Sequence, residues 1–237
     1  ADADEKNSAG TDREVAELRE QLEVESRSRE ELISFVSHEL RTPLARIDMA
    51  IDFVEQDINR EQALSRLRYE ASTMRELVED TLTFAWLNTE SPQLNSDDFD
   101  LVELINVICE DARFEYPDRT LHVDTPECAN IEKSSQLALG QALENIIRNA
   151  LRHTPEQSKV SLTLTSDNNN YVITVTDEGT GVPESMLDAI FEPFFRVDKA
   201  RAAKNYVHAA KRSGFGLGLA LAKRQIAAVG GDISAIN

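Results

Sequence analysis

Apolar positions in the first third of the chain recur at intervals of three and four, the period of a helix with one buried stripe. Val15, Leu18 and Leu22 begin the series. It turns polar through Glu25 and Arg29, then resumes at Leu32, Val36, Leu40, Leu44, Ile47, Ile51 and Val54. The segment DINRE (57–61) interrupts it. A second helix is predicted from about Gln62 to Asn88, on Leu64, Leu67, Ala71, Met74, Val78, Leu82 and Ala85. Two antiparallel helices with one apolar stripe each form a thin hairpin. Two hairpins form a four-helix bundle, so the pattern predicts a homodimer. Residues 1–10, ADADEKNSAG, read as a frayed or linker start, and 89–98, TESPQLNSDD, as a polar linker.

Beyond the linker the period alternates between helical and extended. Helices are predicted at 101–115, 134–153 and 216–229, and strands at 120–124, 159–166 and 171–177. A glycine- and proline-rich loop and a basic loop precede the last helix, and a final strand, DISAI, closes the chain. The fold class is therefore α+β: a helical hairpin followed by an α/β layered domain.

Composition narrows the function. Of the 237 residues, 41% are hydrophobic and 29% charged, so a packed core is attainable. The formal net charge of −18 argues against a direct nucleic-acid footprint. No window approaches the roughly 18 apolar residues of a membrane span, and no signal peptide opens the chain. The chain is expected to be soluble. Cys109 and Cys128 lie far apart without metal-type spacing and read as reduced thiols in a reducing compartment.

Within FVSHELRTPL (35–44), His38 lies about 200° around the helix from Val36, which points it to water. Arg41 and Thr42 follow one turn on. A neutral imidazole is a good nucleophile near neutral pH, and Glu39 is placed to hold the proton of its other ring nitrogen. Pro43 removes an N–H from the ladder beside Glu39 and predicts a kink, a plausible hinge. The alternative is an ordinary surface histidine near an accidental proline.

Three further segments carry candidate chemistry. In ALENIIRNALRHTP (142–155), Leu139, Leu143, Ile146 and Ala150 form the predicted core face. Asn145, Asn149 and His153 form one stripe, and Glu144, Arg148 and Arg152 the next. Asparagine is a poor helix former. Its amide oxygens suit Mg²⁺ and neighbouring arginines suit phosphate, although the same stripe also fits a plain polar face. In YVITVTDEGTGVP (171–183), Asp177 shares a strand face with Tyr171, Ile173 and Val175, at its rim. It suits either a turn or a donor such as an adenine amino group. Gly179 and Gly181 bracket a loop that a flat ligand could approach. In SGFGLGLA (213–220), Gly214, Gly216, Leu217 and Gly218 lead into a helix whose backbone N–H groups could face phosphate.

Between the last two lie Phe191, Phe194 and Phe195, an aromatic anchor. After them, residues 196–213 hold six basic residues (Arg196, Lys199, Arg201, Lys204, Lys211, Arg212) against one acid, Asp198. A basic segment in an acidic chain suits an anionic ligand such as triphosphate, or simply a solvated loop.

SHELRTPL resembles the phosphoacceptor box of sensor histidine kinases, the sensor half of two-component signalling. In order, 144–154, 177–181, 191–195 and 214–218 resemble that family's N, G1, F and G2 boxes. The resemblance covers about residue 30 to the end. It implies the ATP-binding sandwich of the histidine kinase, gyrase and Hsp90 type, with ATP and Mg²⁺ as cofactors. It implies His38 as phosphoacceptor, Glu39 as base, and Thr42 positioning a water for dephosphorylation of the partner. It also implies Asn145 and Asn149 at the metal, Asp177 reading adenine, and His153 beside the base. Arg152, Gly179, Gly181, Gly214, Gly216, Leu217 and Gly218 would line the nucleotide. Arg196 would open a mobile lid.

The expected organisation is a signal-transmitting helix at 1–30, a dimerisation and phosphotransfer domain at 31–88, a linker at 89–98 and a catalytic domain at 99–237. The expected function is autophosphorylation and phosphoryl transfer to a response regulator receiver domain, with phosphatase activity toward it. The rivals are an ATPase that forms no phosphoenzyme and an inactive dimeric scaffold. Two departures from the family pattern stand out. The chain stops at GGDISAIN, short of a usual further strand, and the sensor and membrane segments are absent. It is therefore expected to be the cytoplasmic portion of a bacterial inner-membrane sensor.

Overall fold

A computed structural model describes residues 2–87, 94–167, 170–197 and 214–237. They divide into two compact units, Ala1–Thr81 and Leu82–Asn237, and each is described by itself.

The first unit is a helical hairpin. Helix α1 spans Asp2–Glu55 and runs on through Pro43, and α2 spans Arg60–Leu87. The helix already begins at Asp2, where the polar opening residues suggested a linker. Lacking an apolar stripe does not prevent Ala, Glu and Lys from being good helix formers. Between the helices, Asp57 and Asn59 take left-handed backbone angles (φ 55° and 47°), which short polar side chains tolerate.

The buried rows differ in part from those expected. On α1, Pro43 and Ala50 are buried and the expected Leu32, Val36, Leu40, Ile47 and Val54 are partly buried, while Leu44 and Ile51 are exposed. On α2, Ala63, Glu70 and Leu77 are buried, with Leu67 and Met74 partly so, while Leu64, Ala71, Val78, Leu82 and Ala85 are exposed. Each helix carries two adjacent apolar rows, and the hairpin buries only one. A carboxylate on the inner row, Glu70, disguised it. Glu70 is met there by Arg46 at 3.5 Å and Arg66 at 3.7 Å. The expected seam residues Val15, Leu18 and Leu22 carry side chains outside the described ones.

The second unit starts with the last residues of α2. Strand β1 (Asp97–Asp100) leads into α3 (Leu101–Glu115), β2 (Thr120–Asp124), β3 (Asn130–Ser134) and α4 (Gln136–His153). Strands β4 (Lys159–Asp167) and β5 (Asn170–Asp177) follow, then two 3₁₀ turns, and α5 (Gly218–Ala228). One sheet has the order β2-β4-β5, with β2 and β4 parallel and β4 and β5 antiparallel, while β1 and β3 pair separately. The antiparallel register sets Val160 opposite Asp177, Leu162 opposite Val175 and Leu164 opposite Ile173. That face packs on Ile105, Ile108 and Cys109 of α3 and on Leu143, Ile147 and Leu151 of α4.

Ile147, rather than the expected Ile146, is the fully buried position of α4. The helix turns its core face toward both sheet and α3, so the apolar arc is wider than a single stripe. Asp100 caps α3, its Oδ1 accepting from Val102 and from Ala129 at 2.9 Å each, and Ser135 caps α4. The expected closing strand is not formed. Residues 231–237 have no strand ladder; the Gly231 N–H donates to the Ile226 carbonyl at 2.9 Å, and the side chain of Asn237 pairs with both backbone groups of Val182.

Candidate functional site

Two sets of candidate residues stand out, one on each unit. On the hairpin, the side chain of His38 is 73% exposed and its Nδ1 lies 3.1 Å from Glu39 Oε1. An ionised carboxylate can only accept, so the proton sits on Nδ1 and the Nε2 lone pair is left to solvent. Glu39 is itself half-buried because position 39 lies at the edge of the inner row, beside buried Pro43. The carboxylate is therefore restrained next to the ring it orients. Thr42 and Arg41 are exposed one turn on.

On the second unit, the segments expected to form a nucleotide site converge. Asp177 ends β5, and its Oδ1 accepts from the Gly179 N–H at 2.7 Å. This closes the loop. Asp177 is exposed, because β5 is an edge strand and the aspartate is its last residue. The loop then passes the end of α4. A Cβ on Gly179 would lie 3.1 Å from the His153 carbonyl oxygen and 2.6 Å from Asp177 Oδ1, so only glycine permits this approach. Gly181 follows beside the Asn237 amide.

The glycine-rich loop before α5 meets the same face of α4. Gly214 lies against the guanidinium of Arg152, and Gly218 lies beside Asn145 Oδ1. Gly216 takes φ +75° and its carbonyl accepts from the Phe194 N–H at 2.8 Å. Leu217 is fully buried, so only its backbone can face a ligand. Asn145, Asn149 and Arg152 are partly buried and His153 is exposed. The result is a set of hard amide oxygens, a guanidinium and free backbone N–H groups at a helix start, a donor and acceptor inventory suited to a metal-bound polyphosphate.

Arg148 is placed elsewhere. It bonds to Glu115 at 3.0 Å and pairs with Glu144 at 3.6 Å. Burial works to lower its pKa, but the two carboxylates outweigh burial and raise it. It is therefore engaged with α3 and not with the glycine loop. Arg196 is described and partly buried, whereas Asp198, Lys199, Arg201, Lys204, Lys211 and Arg212 lie outside the described residues.

The sequence reading missed two contacts beside these segments and one buried amide. Phe84, near the end of α2 and within the second unit, is buried under the Arg224 guanidinium, 4.4 Å from the ring centre. Its ring centroid lies 6.3 Å from that of Phe194. Burial lowers the Arg224 pKa, with Glu192 opposing. The Asn237 amide clamps the loop after Gly181. Gln225 is the third, and its signal was visible as one amide on an otherwise apolar row.

Comparison with known proteins gives two family matches. Residues 28–90 match the His Kinase A (phospho-acceptor) domain, and residues 134–237 match the histidine kinase-, DNA gyrase B- and HSP90-like ATPase. The sensor protein PfeS of Pseudomonas aeruginosa is 38% identical over 212 residues, which take in 87% of this chain and 44% of that protein. The sensor protein kinase WalK of Staphylococcus aureus is 33% identical over 224 residues, 92% of this chain and 52% of that one. The chain thus spans about half the length of these curated relatives. Full-length ShkA, solved in complex with AMPPNP, superposes with a TM-score of 0.62 at 26% identity, covering 86% of this chain and 42% of that one. Histidine kinase ThkA, solved in complex with the response regulator TrrA, shares the fold with a TM-score of 0.66 at 22% identity, covering 87% and 57%.

Proposed function

Since a chain that joins a His Kinase A domain to an ATPase domain of this type belongs to the sensor histidine kinases, we propose that it transfers the γ-phosphoryl group of ATP to His38. From there the group passes to an aspartate of a response regulator receiver domain. The observation that carries this reading is the exposed imidazole whose Nδ1 is held by Glu39 at 3.1 Å.

In the first step the Nε2 lone pair attacks the γ-phosphorus. The bond to the β,γ-bridging oxygen breaks, and its electron pair leaves on ADP. The ring becomes cationic at Nδ1–H, where the Glu39 carboxylate offsets the charge or takes the proton. Asp177 reads the adenine amino group beside His153. Arg152 and the N–H groups around Gly216 and Gly218 hold phosphate oxygens, and Arg196 opens the basic segment over them. Asn145 and Asn149 are the residues that would hold Mg²⁺, whose contribution is charge neutralisation of the phosphates. Their amide oxygens fit that ion, and Asn145 Oδ1 already lies at the head of α5.

In the second step an aspartate carboxylate of the receiver attacks the same phosphorus, and the phosphorus–nitrogen bond breaks back onto His38. ThkA's solved complex with its response regulator supports this partner class. Glu39 and Thr42 would also position a water for the phosphatase reaction on the receiver. The exposed, heptad-spaced Leu44 and Ile51 of α1, with Leu64 and Val78 of α2, support a homodimer in which a second hairpin covers this row. We assign 1–30 to signal transmission, 31–88 to dimerisation and phosphotransfer, 89–98 to a linker and 99–237 to catalysis. No described helix is long and apolar enough to cross a membrane. The parent is read as a bacterial inner-membrane sensor because the curated relatives are sensor proteins that extend well beyond this chain.

Incubation with γ-labelled ATP tests the reading. The expected result is acid-labile, base-stable label on the chain, absent in His38→Gln. A chain that binds or hydrolyses ATP without carrying label at position 38 overturns it.

A further inference from the structure

The row of α5 that faces α4 is apolar with one exception. Leu217, Leu221 and Gln225 follow at intervals of four, and all are buried, Gln225 to 2% exposure. Gln225 Nε2 donates to Gln141 Oε1 on α4 at 2.8 Å. Its own Oε1 is buried and finds no hydrogen-bond partner among the described residues. A buried carbonyl without a donor destabilises a fold, whereas an apolar side chain of the same volume would not. An amide retained there points to a service other than stability.

The same two helices frame the phosphate end of the nucleotide site. Asn145, one turn beyond Gln141, lies against Gly218, the first residue of α5. The helices thus meet at two levels, Asn145 with Gly218 and Gln141 with Gln225, and run in opposite directions between them. Leucine packing alone tolerates a small slide or rotation of one helix on the other. A hydrogen bond is directional and does not.

We propose that Gln225 is a positioning residue for the nucleotide site. Through Gln141 it fixes the height and rotation of α5, and so holds the N–H groups around Gly216 and Gly218 in register with Asn145. The idea rests on the ATP-binding reading above. Gln225 touches no substrate itself.

The test uses the whole chain with Gln225→Met, Gln141→Met and the double variant. Gln141 is exposed, so its variant folds even if the other does not. AMPPNP affinity in the presence of Mg²⁺, thermal midpoint, and KM and kcat of autophosphorylation are measured. Each single variant should bind AMPPNP about tenfold more weakly, with KM rising in step and kcat little changed. The Gln225→Met midpoint should be equal to or above that of the parent. The double variant should be no worse than either single one, because both break one bond. If the parent chain binds AMPPNP and both variants bind equally well, the positioning role is overturned and the nucleotide reading stands. If affinity falls only together with the thermal midpoint, plain packing explains the loss and the proposal also falls. If the parent itself binds no nucleotide, both ideas fail.

Discussion

The Phe194 N–H donates to the Gly216 carbonyl at 2.8 Å, and this bond joins the aromatic segment to the glycine loop at the head of α5. Phe194 itself takes a left-handed backbone angle (φ 65°), uncommon for a bulky residue, and its ring rests against buried Phe84. The loop that would face phosphate is thus braced from beneath. Gly216→Ala would set a Cβ 2.9 Å from the Phe195 carbonyl oxygen, at φ +75°. The expected backbone strain is about 1–2 kcal/mol, and the loop must shift to relieve the contact. AMPPNP titration should show affinity reduced by about tenfold. An unchanged affinity would show that this loop does not hold phosphate.

Glu39→Gln separates chemistry from binding. The amide can still contact Nδ1 but cannot offset a cationic ring, so the autophosphorylation rate should fall by about 10²-fold. Nucleotide affinity, set by the other compact unit, should stay as it was. Quench-flow labelling beside a binding titration reads both, and a parallel loss of affinity would count against the assignment.

Arg148 and Arg152 occupy the same helical stripe but have different neighbours. Arg148 bonds to Glu115 at 3.0 Å, a half-exposed pair worth about 0.2–1 kcal/mol after solvent screening. Arg148→Ala should therefore lower the thermal midpoint slightly and leave ATP affinity within about twofold. Arg152 lies against Gly214, and Arg152→Ala should weaken ATP by about tenfold.

Much of this arrangement was legible beforehand. The helices at 101–115 and 134–153 and the strands β2, β4 and β5 announce themselves by period, because each has one face on a shared core. Strands β1 and β3, DDFD and NIEKS, are short and mostly polar and carry no period at all. Their position comes from Asp100, which binds Val102 and Ala129 together, a link between distant residues that spacing cannot show. The hairpin's inner row was misread because a buried glutamate sits on it while leucine and valine lie on the outer row. The glycines and asparagines proposed to bind nucleotide could be singled out beforehand because few other residues serve in such backbone and ligand roles. The division between Arg148 and Arg152 was not, since Glu115 and Gly214 decide it from other elements.

The two cysteines give a pH-dependent check on the core. Cys128 is exposed, while Cys109 is fully buried on α3 and burial raises its pKa, against a lowering influence of Arg113. A thiol reagent at neutral pH should modify one cysteine quickly and the second only on unfolding. The sign of the linkage follows from the raised pKa. Below the unfolded value, about 8.5, both states keep the proton and the contribution is fully present. As pH rises toward the folded value, the unfolded chain releases its proton first, and that stability is lost. Cys109→Ala or Cys109→Ser should remove this alkaline component from the denaturation midpoint. A midpoint whose alkaline slope is unchanged would place the titration elsewhere.

The 73% exposure of the His38 side chain also limits what it can store. A phosphoramidate formed on a ring so exposed would be open to bulk water and acid as well as to a receiver. If His38 is the phosphoacceptor, as proposed, any message written there would be perishable, and its persistence would depend on how often the residue is rewritten.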